Sequence, residues 1–212
     1  MVATLPSYVA WPSWSPDGRK IVFGYGRSYV VGADGRGLRK LPTGGCCASW
    51  GPGGRKIAFA DGPEVQSEIY VMNPDGRAAE IVATPDDGHS YWGPTWSPDG
   101  QRLAFFVDEA PDMLGHARTS LAVISRYRGK VRNLRLGLRA AEPDWSPRGG
   151  KIAFDGIRVL DLATKRIVAL HEGRHPSWSP DGRRIAFVYE DQIYVMRADG
   201  SGVRRLTQPA SR

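Results

Sequence analysis

Short apolar stretches recur along the chain, and each follows a turn rich in proline and glycine. Lys56-Ile57-Ala58-Phe59 is apolar on both faces, which is typical of a strand in a sheet that is covered on both sides. No segment keeps an apolar period of 3.6 residues over several turns, so we expect almost no helix. The pattern predicts an all-β protein built from many short strands.

One eleven-residue unit, a Trp-Ser-Pro-Asp-Gly turn with its strand, occurs five times. In the turn, proline presets φ, aspartate bonds its own backbone and glycine accepts a positive φ. Two copies differ, Gly51-Pro52-Gly53-Gly54 and Ser146-Pro147-Arg148-Gly149-Gly150, but both keep turn glycines, so we expect their turns to survive. The repeat tryptophans are Trp14, Trp50, Trp96, Trp145 and Trp178.

Further strands follow each unit. Gln192–Met196 and Val203–Leu206 show the second and third apolar segments, separated by the turn Ala198-Asp199-Gly200. Together with the strand that carries the tryptophan, they make four antiparallel strands per ~40 residues, the blade of a β-propeller. The sequence therefore predicts a single β-propeller domain over residues 1–212, with five four-stranded blades.

These motifs resemble the repeat of the TolB-type β-propeller family, a WD40-like Pro-Asp-Gly repeat, over roughly residues 11–208. The resemblance implies a rigid disc of the kind that serves as a protein-docking platform. Such domains are usually six-bladed, so a fragment of a six-bladed propeller is the alternative to five blades. Residues 1–6 look like one more closing strand. We expect a ring that closes by pairing its first and last blades, because closure removes exposed sheet edges.

Composition changes this picture little. The 26 glycines and 16 prolines are accounted for by two turns per blade. The net charge of +7 comes largely from basic residues that follow the turns, so nucleic acid is an unlikely partner. No apolar run approaches ~18 residues, so we expect no membrane insertion. Residues 1–14 lack the features of a secretory signal, which leaves the compartment open between the cytoplasm and a domain of an exported parent.

The loops opposite the repeat turns vary in length and hold many carboxylates and all four histidines. Variable loops on a rigid scaffold are where binding sites usually lie. We predict an acidic loop face. The residues three positions before each repeat tryptophan should point into the mouth of the central channel. With their neighbours they give a candidate ligand site of Trp11, Cys47, His89, Trp92, Glu142 and His175.

Within that site, His175, Glu142 and His89 are of metal-ligand type, so a divalent ion at the channel mouth is possible and no other cofactor is expected. A water-filled or packed mouth is the plainer alternative. The adjacent Cys46 and Cys47 could form a strained disulfide or a redox switch, although small buried residues are the commoner case.

The longest insertion, residues 108–118, offers a second surface. Its tip carries an apolar pair on a polar loop, which could contact a partner or fold back over the channel. The candidate contact residues are Asp108, Glu109, Asp112, Met113 and His116.

Catalytic motifs are absent from the sequence: it has no phosphate loop, dinucleotide fingerprint or complete nucleophile elbow. We therefore expect a non-enzymatic, monomeric propeller that docks a protein, peptide or small ligand on its acidic loop face. The alternative is a metal-dependent enzyme, lyase- or hydrolase-like, with its site at the channel mouth.

Overall fold

The computed structural model describes residues 11–24, 26–63, 66–86, 88–109, 118–125, 129–134, 136 and 141–207. Within these ranges twenty strands form five four-stranded antiparallel sheets, and in each sheet the strands lie in sequence order. The prediction of five four-stranded blades is confirmed. In the same part of the chain no helix is long and apolar enough to cross a bilayer.

The blades follow one another along the chain. Blade 1 comprises β1 (Ser13–Trp14), β2 (Lys20–Gly24), β3 (Ser28–Gly32) and β4 (Arg39–Lys40). Blade 2 comprises β5 (Cys46–Trp50), β6 (Ile57–Asp61), β7 (Glu68–Met72) and β8 (Glu80–Ala83). Blade 3 comprises β9 (His89–Trp96), β10 (Arg102–Glu109), β11 (Arg118–Ser125) and β12 (Arg132–Asn133). Blade 4 comprises β13 (Asp144–Trp145), β14 (Lys151–Phe154), β15 (Arg158–Asp161) and β16 (Ile167–Ala169). Blade 5 comprises β17 (Arg174–Trp178), β18 (Arg184–Tyr189), β19 (Gln192–Arg197) and β20 (Arg204–Arg205).

The serine of the Ser-Pro-Asp-Gly turn is the centre of a small hydrogen-bond network. In blade 3 the Ser97 hydroxyl donates to Asp99 at 2.5 Å and bonds both the N–H and the C=O of Arg102, at 2.9 and 3.1 Å. Asp99 in turn accepts the N–H of Gln101 at 3.0 Å. These hydrogen bonds, led by the one from serine, hold the pKa of Asp99 below its ordinary value. Blades 1 and 5 repeat the arrangement around Ser15 and Ser179.

The two divergent turns keep the backbone part of this network. The N–H of Gly54 donates to the C=O of Gly51 at 2.9 Å, and that of Gly149 donates to Ser146 at 2.8 Å. The expectation that both turns survive is confirmed.

Neighbouring blades are held together by apolar cores. Four such cores each join the alanine- and valine-rich face of one blade to the tryptophan face of the next. Between blades 4 and 5, for example, Ala153 and Val159 pack with Trp178, Ile185 and Met196. Burial of these side chains is the main stabilising term of the assembly.

Polar contacts run beside the cores. In two interfaces, the side chain just before one blade's repeat tryptophan accepts the backbone N–H of the repeat tryptophan in the following blade. Ser13 accepts from Trp50 at 3.1 Å, and Asp144 accepts from Trp178 at 2.6 Å. Small turn residues allow this close approach, because a Cβ at Gly182 would lie 3.3 Å from Pro147 of the preceding blade. In these two interfaces the position before the tryptophan therefore helps to fix the spacing of the blades.

The fifth interface, between blade 5 and blade 1, is not formed among the described residues. Trp14 is 58% exposed, whereas the other four repeat tryptophans are 4–8% exposed. The expected pairing of the first and last blades is therefore not seen in this part of the chain. Residues 1–6, the further closing strand expected from the sequence, lie outside the described residues.

The hydrogen-bond network of the turn makes a stability prediction. Replacing Ser97, which is fully buried, with alanine leaves the N–H of Arg102 and the carboxylate of Asp99 without this partner. We expect a loss of about 1–3 kcal/mol in the free energy of unfolding, measured by urea denaturation.

Ser146 provides the matched control. It is buried at the same repeat position, but its hydroxyl oxygen accepts only a long hydrogen bond of 3.4 Å from the N–H of Arg148. Ser146→Ala should cost clearly less than Ser97→Ala, and equal losses would show that the aspartate network adds nothing.

Candidate functional site at the channel mouth

The five residues that precede the repeat tryptophans by three positions share one backbone conformation. Their φ angles lie between 52° and 58°, in the left-handed region: Trp11, Cys47, Gly93, Glu142 and His175. A bulge accompanies this position in blades 2, 3 and 5, where the register of the first strand shifts. Because a bulge re-aims the side chain it carries, the repeat sets these residues apart from the regular sheet.

Several members of this column interact across blades. The hydrogen bond from Cys46 and burial raise the pKa of the Cys47 thiol most, while the backbone N–H of Gly93 lowers it and the negative charge of Glu142 raises it. A Cβ on Gly93 would lie 4.0 Å from Pro143, the residue that follows Glu142. Nδ1 of His175 is 2.5 Å from Oε2 of Glu142. The structure thus places Cys47, Gly93, Glu142 and His175 on one connected path at the mouth.

The other predicted members of the site take different positions. Trp92 packs against the core between blades 2 and 3, and His89 begins β9 opposite Glu109. Trp11 is exposed at the start of blade 1. His89 and Trp92 belong to the first strand of blade 3, and Trp11 precedes the first strand of blade 1. The interactions described above join Cys47, Glu142 and His175.

A carboxyl pair forms the most strongly perturbed part of the mouth. Burial raises the pKa of Glu142 to about 7, and the negative charge and hydrogen bond of Asp155 beside it act in the same direction. Asp155 is held by the N–H of His175, which donates to its carboxylate at 3.1 Å, and its own C=O accepts from Arg158 at 3.0 Å. Glu142 lies just before β13 and Asp155 just after β14, and contacts from β15 and β17 hold the Asp155 side of the pair.

Asp155 was not among the residues singled out from the sequence. The signal was present: the residue directly after the Ile-Ala-Phe strand is Gly24, Ala60, Phe106 and Val188 in the other blades and acidic only in blade 4. A comparison of the repeats position by position would have found it.

The loop face carries more carboxylates than basic groups. In its described loops and adjoining strand ends the basic residues include Arg27, Arg118, Arg158 and Arg174, and Arg174 is bound to Asp191 at 2.7 Å. The acidic residues there are Asp61, Glu68, Asp86, Asp108, Glu142, Asp155, Glu172, Glu190 and Asp191. Like charges crowded in a concave mouth create a field that attracts cations.

The two cysteines are free and buried. The hydrogen bond from Cys46 and burial both raise the pKa of the Cys47 thiol, so it stays protonated at neutral pH. A protonated thiol is a poor nucleophile and a poor metal ligand. This environment fits small buried residues better than a reactive pair.

Metal-ligand geometry is not present in the described part of the chain, where no three His, Cys, Asp or Glu side chains are grouped to hold one ion. Glu142, Asp155 and His175 lie beside one another: the N–H of His175 donates to Asp155, and its Nδ1 lies against Oε2 of Glu142.

The predicted partner loop is only partly described. Asp108 is exposed near the end of β10, and the backbone of Glu109 pairs with Arg118. Asp112, Met113 and His116 lie outside the described residues.

On the opposite face, a cavity of about 430 Å³ lies between blades 4 and 5 and is basic. Arg148, which replaces the aspartate of the repeat turn, contributes to it with Arg183, Arg184 and Arg197. At this cavity the opposite face is therefore basic, whereas the channel mouth is acidic.

Comparisons with known proteins agree on the fold. Residues 154–211 match the family model described as dipeptidyl peptidase IV N-terminal region. No curated protein matches the chain in sequence. The structure assigned as TolB from Agrobacterium tumefaciens superposes with a TM-score of 0.79 at 23% identity, covering 95% of this chain and 81% of that one. TolB from Acinetobacter baumannii gives a TM-score of 0.71 at 22% identity, and there this chain covers 91% of its own length and 52% of the other.

An enzyme has a similar fold. An oligogalacturonate lyase in complex with manganese gives a TM-score of 0.68 at 13% identity, covering 93% of this chain and 65% of that one. At these identities the likenesses define the class of fold alone. The chain is a β-propeller of five four-stranded blades. Its particular likeness is to TolB propellers, which confirms at the level of the fold the resemblance seen in the repeat.

The raised pKa of Glu142 makes a prediction about pH and stability. Because the folded-state pKa of about 7 lies above the ordinary 4.5, this carboxyl favours folding at low pH, and that contribution is lost as the pH rises from about 4.5 to 7. Glu142→Gln removes the charge. The free energy of unfolding of the variant, relative to that of the wild type, should be roughly 1–3 kcal/mol more favourable at pH 8 than at pH 4. Chemical denaturation of both proteins at each pH measures this difference.

Asp181 provides a control of opposite sign. Hydrogen bonds from Ser179 and Arg183 hold its pKa below the ordinary value, so its carboxylate stabilises the fold above about pH 4. Asp181→Asn should therefore be the less stable protein at pH 8 and approach the wild type in acid. The same pH trend in both variants would contradict the assignment of Glu142.

Proposed function

We propose that this chain is a non-enzymatic binding propeller whose acidic loop face docks a cationic group of a protein or peptide partner. The observation that carries the proposal is the Glu142–Asp155 carboxyl pair at the channel mouth, held beside His175 on a rigid set of strands. The likeness of the fold to TolB proteins supports a binding role.

The pair is suited to a cation for an electrostatic reason. With a pKa of about 7, Glu142 is partly protonated at neutral pH because its charge is opposed by burial and by Asp155. A lysine or arginine side chain in the mouth would compensate both carboxylates and release that proton. Binding should therefore strengthen as the pH rises from 6 to 8 and weaken with salt.

Fluorescein-labelled hexalysine is a suitable probe, with hexaglutamate as the peptide of opposite charge. Fluorescence anisotropy at low salt should show binding of hexalysine, whereas hexaglutamate should be attracted only to the basic cavity on the opposite face, so changes at the mouth should not alter its binding. The double variant Glu142→Gln/Asp155→Asn should weaken binding of hexalysine about tenfold or more, since two charge-assisted contacts are removed.

Asp181→Asn/Asp199→Asn, on the opposite face, is the matched control because it also replaces two carboxylates. It should bind hexalysine as the wild type does. Equal loss in the two proteins would mean that only net charge matters, and failure of hexalysine to bind the wild type would overturn the proposed site.

The second candidate function is a metal-dependent enzyme with a lyase- or hydrolase-like site at the same mouth. It is favoured by the direct contact of His175 with Glu142, and by the likeness of the fold to the lyase solved with manganese. The described residues do not group three ligands around one point, so the candidate requires His89 or another side chain to join the pair.

Thermal unfolding with added Mn²⁺ tests this candidate without a substrate. An ion that binds only the folded protein stabilises it by about 2.7 kcal/mol at a hundredfold excess over Kd, which is a shift of several degrees. The shift should vanish in His175→Ala and Glu142→Ala. An unchanged melting temperature in the wild type up to millimolar Mn²⁺ would exclude the metal site.

A further inference from the structure

Like charges face each other across two strands of blade 5. Arg184 on β18 and Arg197 on β19 are directly opposite one another in the antiparallel ladder. Like charges at opposite positions destabilise a strand pair, whereas opposite charges stabilise it. In blade 4 the same repeat position pairs Lys151 with Asp161, which is the favourable arrangement. Blade 5 therefore keeps an arginine pair from which its own sheet gains no stability.

The turn of blade 4 departs from the repeat beside that pair. In blades 1, 3 and 5 the second residue after the turn serine is an aspartate, which accepts the serine hydroxyl at 2.5–2.6 Å. Blade 4 has Arg148 there, and the hydroxyl of Ser146 accepts a long hydrogen bond of 3.4 Å from its N–H instead. The stem of Arg148 lies over the turn of the next blade, because a Cβ on Gly182 would be 3.3 Å from its Cγ. The substitution thus gives up a hydrogen-bond network and adds an arginine to the interface between blades 4 and 5.

These side chains converge on the basic cavity of about 430 Å³ between blades 4 and 5. Its charged lining residues are Arg148, Arg183, Arg184, Arg197 and Asp199. Within the ranges that the structure describes, none of the four guanidinium groups forms a salt bridge. Arg197 donates a long hydrogen bond of 3.4 Å to the hydroxyl of Ser201. Because each guanidinium carries five N–H donors in a planar fork, most of these donors are available to a ligand.

The two turn carboxylates of blade 5 are engaged within their own turns. Asp199 accepts the hydroxyl and the N–H of Ser201 at 2.7 and 2.9 Å. Asp181 accepts the hydroxyl of Ser179 at 2.6 Å and the N–H of Arg183 at 3.0 Å. These hydrogen bonds, led by those from serine, hold the pKa of both carboxyls below the ordinary value, and the charges of nearby arginines act in the same direction. With four arginines against one aspartate, the cavity lining still has three positive charges in excess.

We propose that this cavity binds a small molecule that carries two phosphate groups. A phosphate group offers three oxygens to guanidinium forks, whereas a carboxylate offers two oxygens and a single charge. The excess of three positive charges is close to the charge of two phosphate groups, about −1.5 to −2 each at neutral pH. A volume of about 430 Å³ lies within the range of small-molecule sites.

The bound diphosphate would also relieve the repulsion between Arg184 and Arg197, because both would then face an anion. Stability given up in the free protein is thus recovered on binding, which is a common property of binding sites. This proposal is independent of the proposed function, since the cavity lies on the face opposite the channel mouth.

Isothermal titration calorimetry with inorganic pyrophosphate, in metal-free buffer, tests the proposal. At about 150 mM salt the wild type should bind pyrophosphate with a Kd below about 1 mM. Arg148→Asp and Arg197→Asp should each weaken binding about tenfold or more, because each removes a guanidinium and adds an opposing charge. The matched control is Arg19→Gln/Lys20→Gln, which changes the net charge by the same amount at the blade 1 positions that correspond to Arg183 and Arg184. It should bind pyrophosphate as the wild type does.

The same two substitutions have a second readout. Arg148→Asp restores the residue type of the other turns, and Arg197→Asp gives Arg184 a partner of opposite charge, as Lys151 has in blade 4. Without ligand, both variants should therefore melt at or above the temperature of the wild type, which also establishes that they are folded. A lower melting temperature in both would mean that the arginines serve the fold, and would overturn the proposal.

Two further ligands define the chemistry. Citrate carries carboxylates in place of phosphates and should bind about tenfold more weakly than pyrophosphate, or less. Binding of ADP as tight as that of pyrophosphate would indicate a diphosphate attached to a larger molecule, and weaker binding would indicate free diphosphate as the ligand. Failure of the wild type to bind pyrophosphate, equal loss of binding in the control, or equally tight binding of citrate would each overturn the proposal.

Discussion

The structure depends on the packing of one blade's tryptophan face against the small-residue face of the blade before it. The alanines that face the tryptophans, such as Ala58 and Ala153, are fully buried, and they leave room for an indole where a larger side chain would push the sheets apart. Each blade alone is a four-stranded sheet with two apolar faces. It becomes stable only between neighbours, which is the general property of repeat architectures.

The same repeat separates stability from binding. The Ser-Pro-Asp-Gly turns of blades 1, 3 and 5 satisfy their own polar groups in the same way, so the backbone of that face is repeated from blade to blade. The opposite loops have no such constraint and carry the carboxyl pair of Glu142 and Asp155. Some contacts between blades involve polar residues, such as Asp144, which accepts the N–H of Trp178. Burial at this interface raises the pKa of Asp144 to about 6, although two backbone N–H groups donate to it. A perturbed pKa at Asp144 therefore reflects blade packing, whereas at Glu142 it accompanies a cluster at the mouth.

Much of the fold could be predicted from the sequence because the information is local and repeated. Proline, aspartate and glycine define each turn within a few residues, and five copies define the blade. The convergence of Glu142 with Asp155 was harder to foresee, since it arises from the end of one strand meeting the first strand of the same blade and His175 of the next. Ring closure was harder still. It depends on the rotation between blades, summed around the disc, and no single residue encodes that angle.

The left-handed column has a consequence for how the mouth can change. Gly93 shows that the position accepts a residue with no side chain at all, while Cys47, Glu142 and His175 adopt the same φ at a conformational cost of about 1–2 kcal/mol each. The neighbouring blade decides which side chain fits: Cys47 packs into the core between blades 2 and 3, and a Cβ on Gly93 would lie 3.0 Å from Phe106, whereas Glu142 and His175 are more open to the mouth. The same backbone position therefore serves packing in some blades and presents chemical groups at the mouth in others.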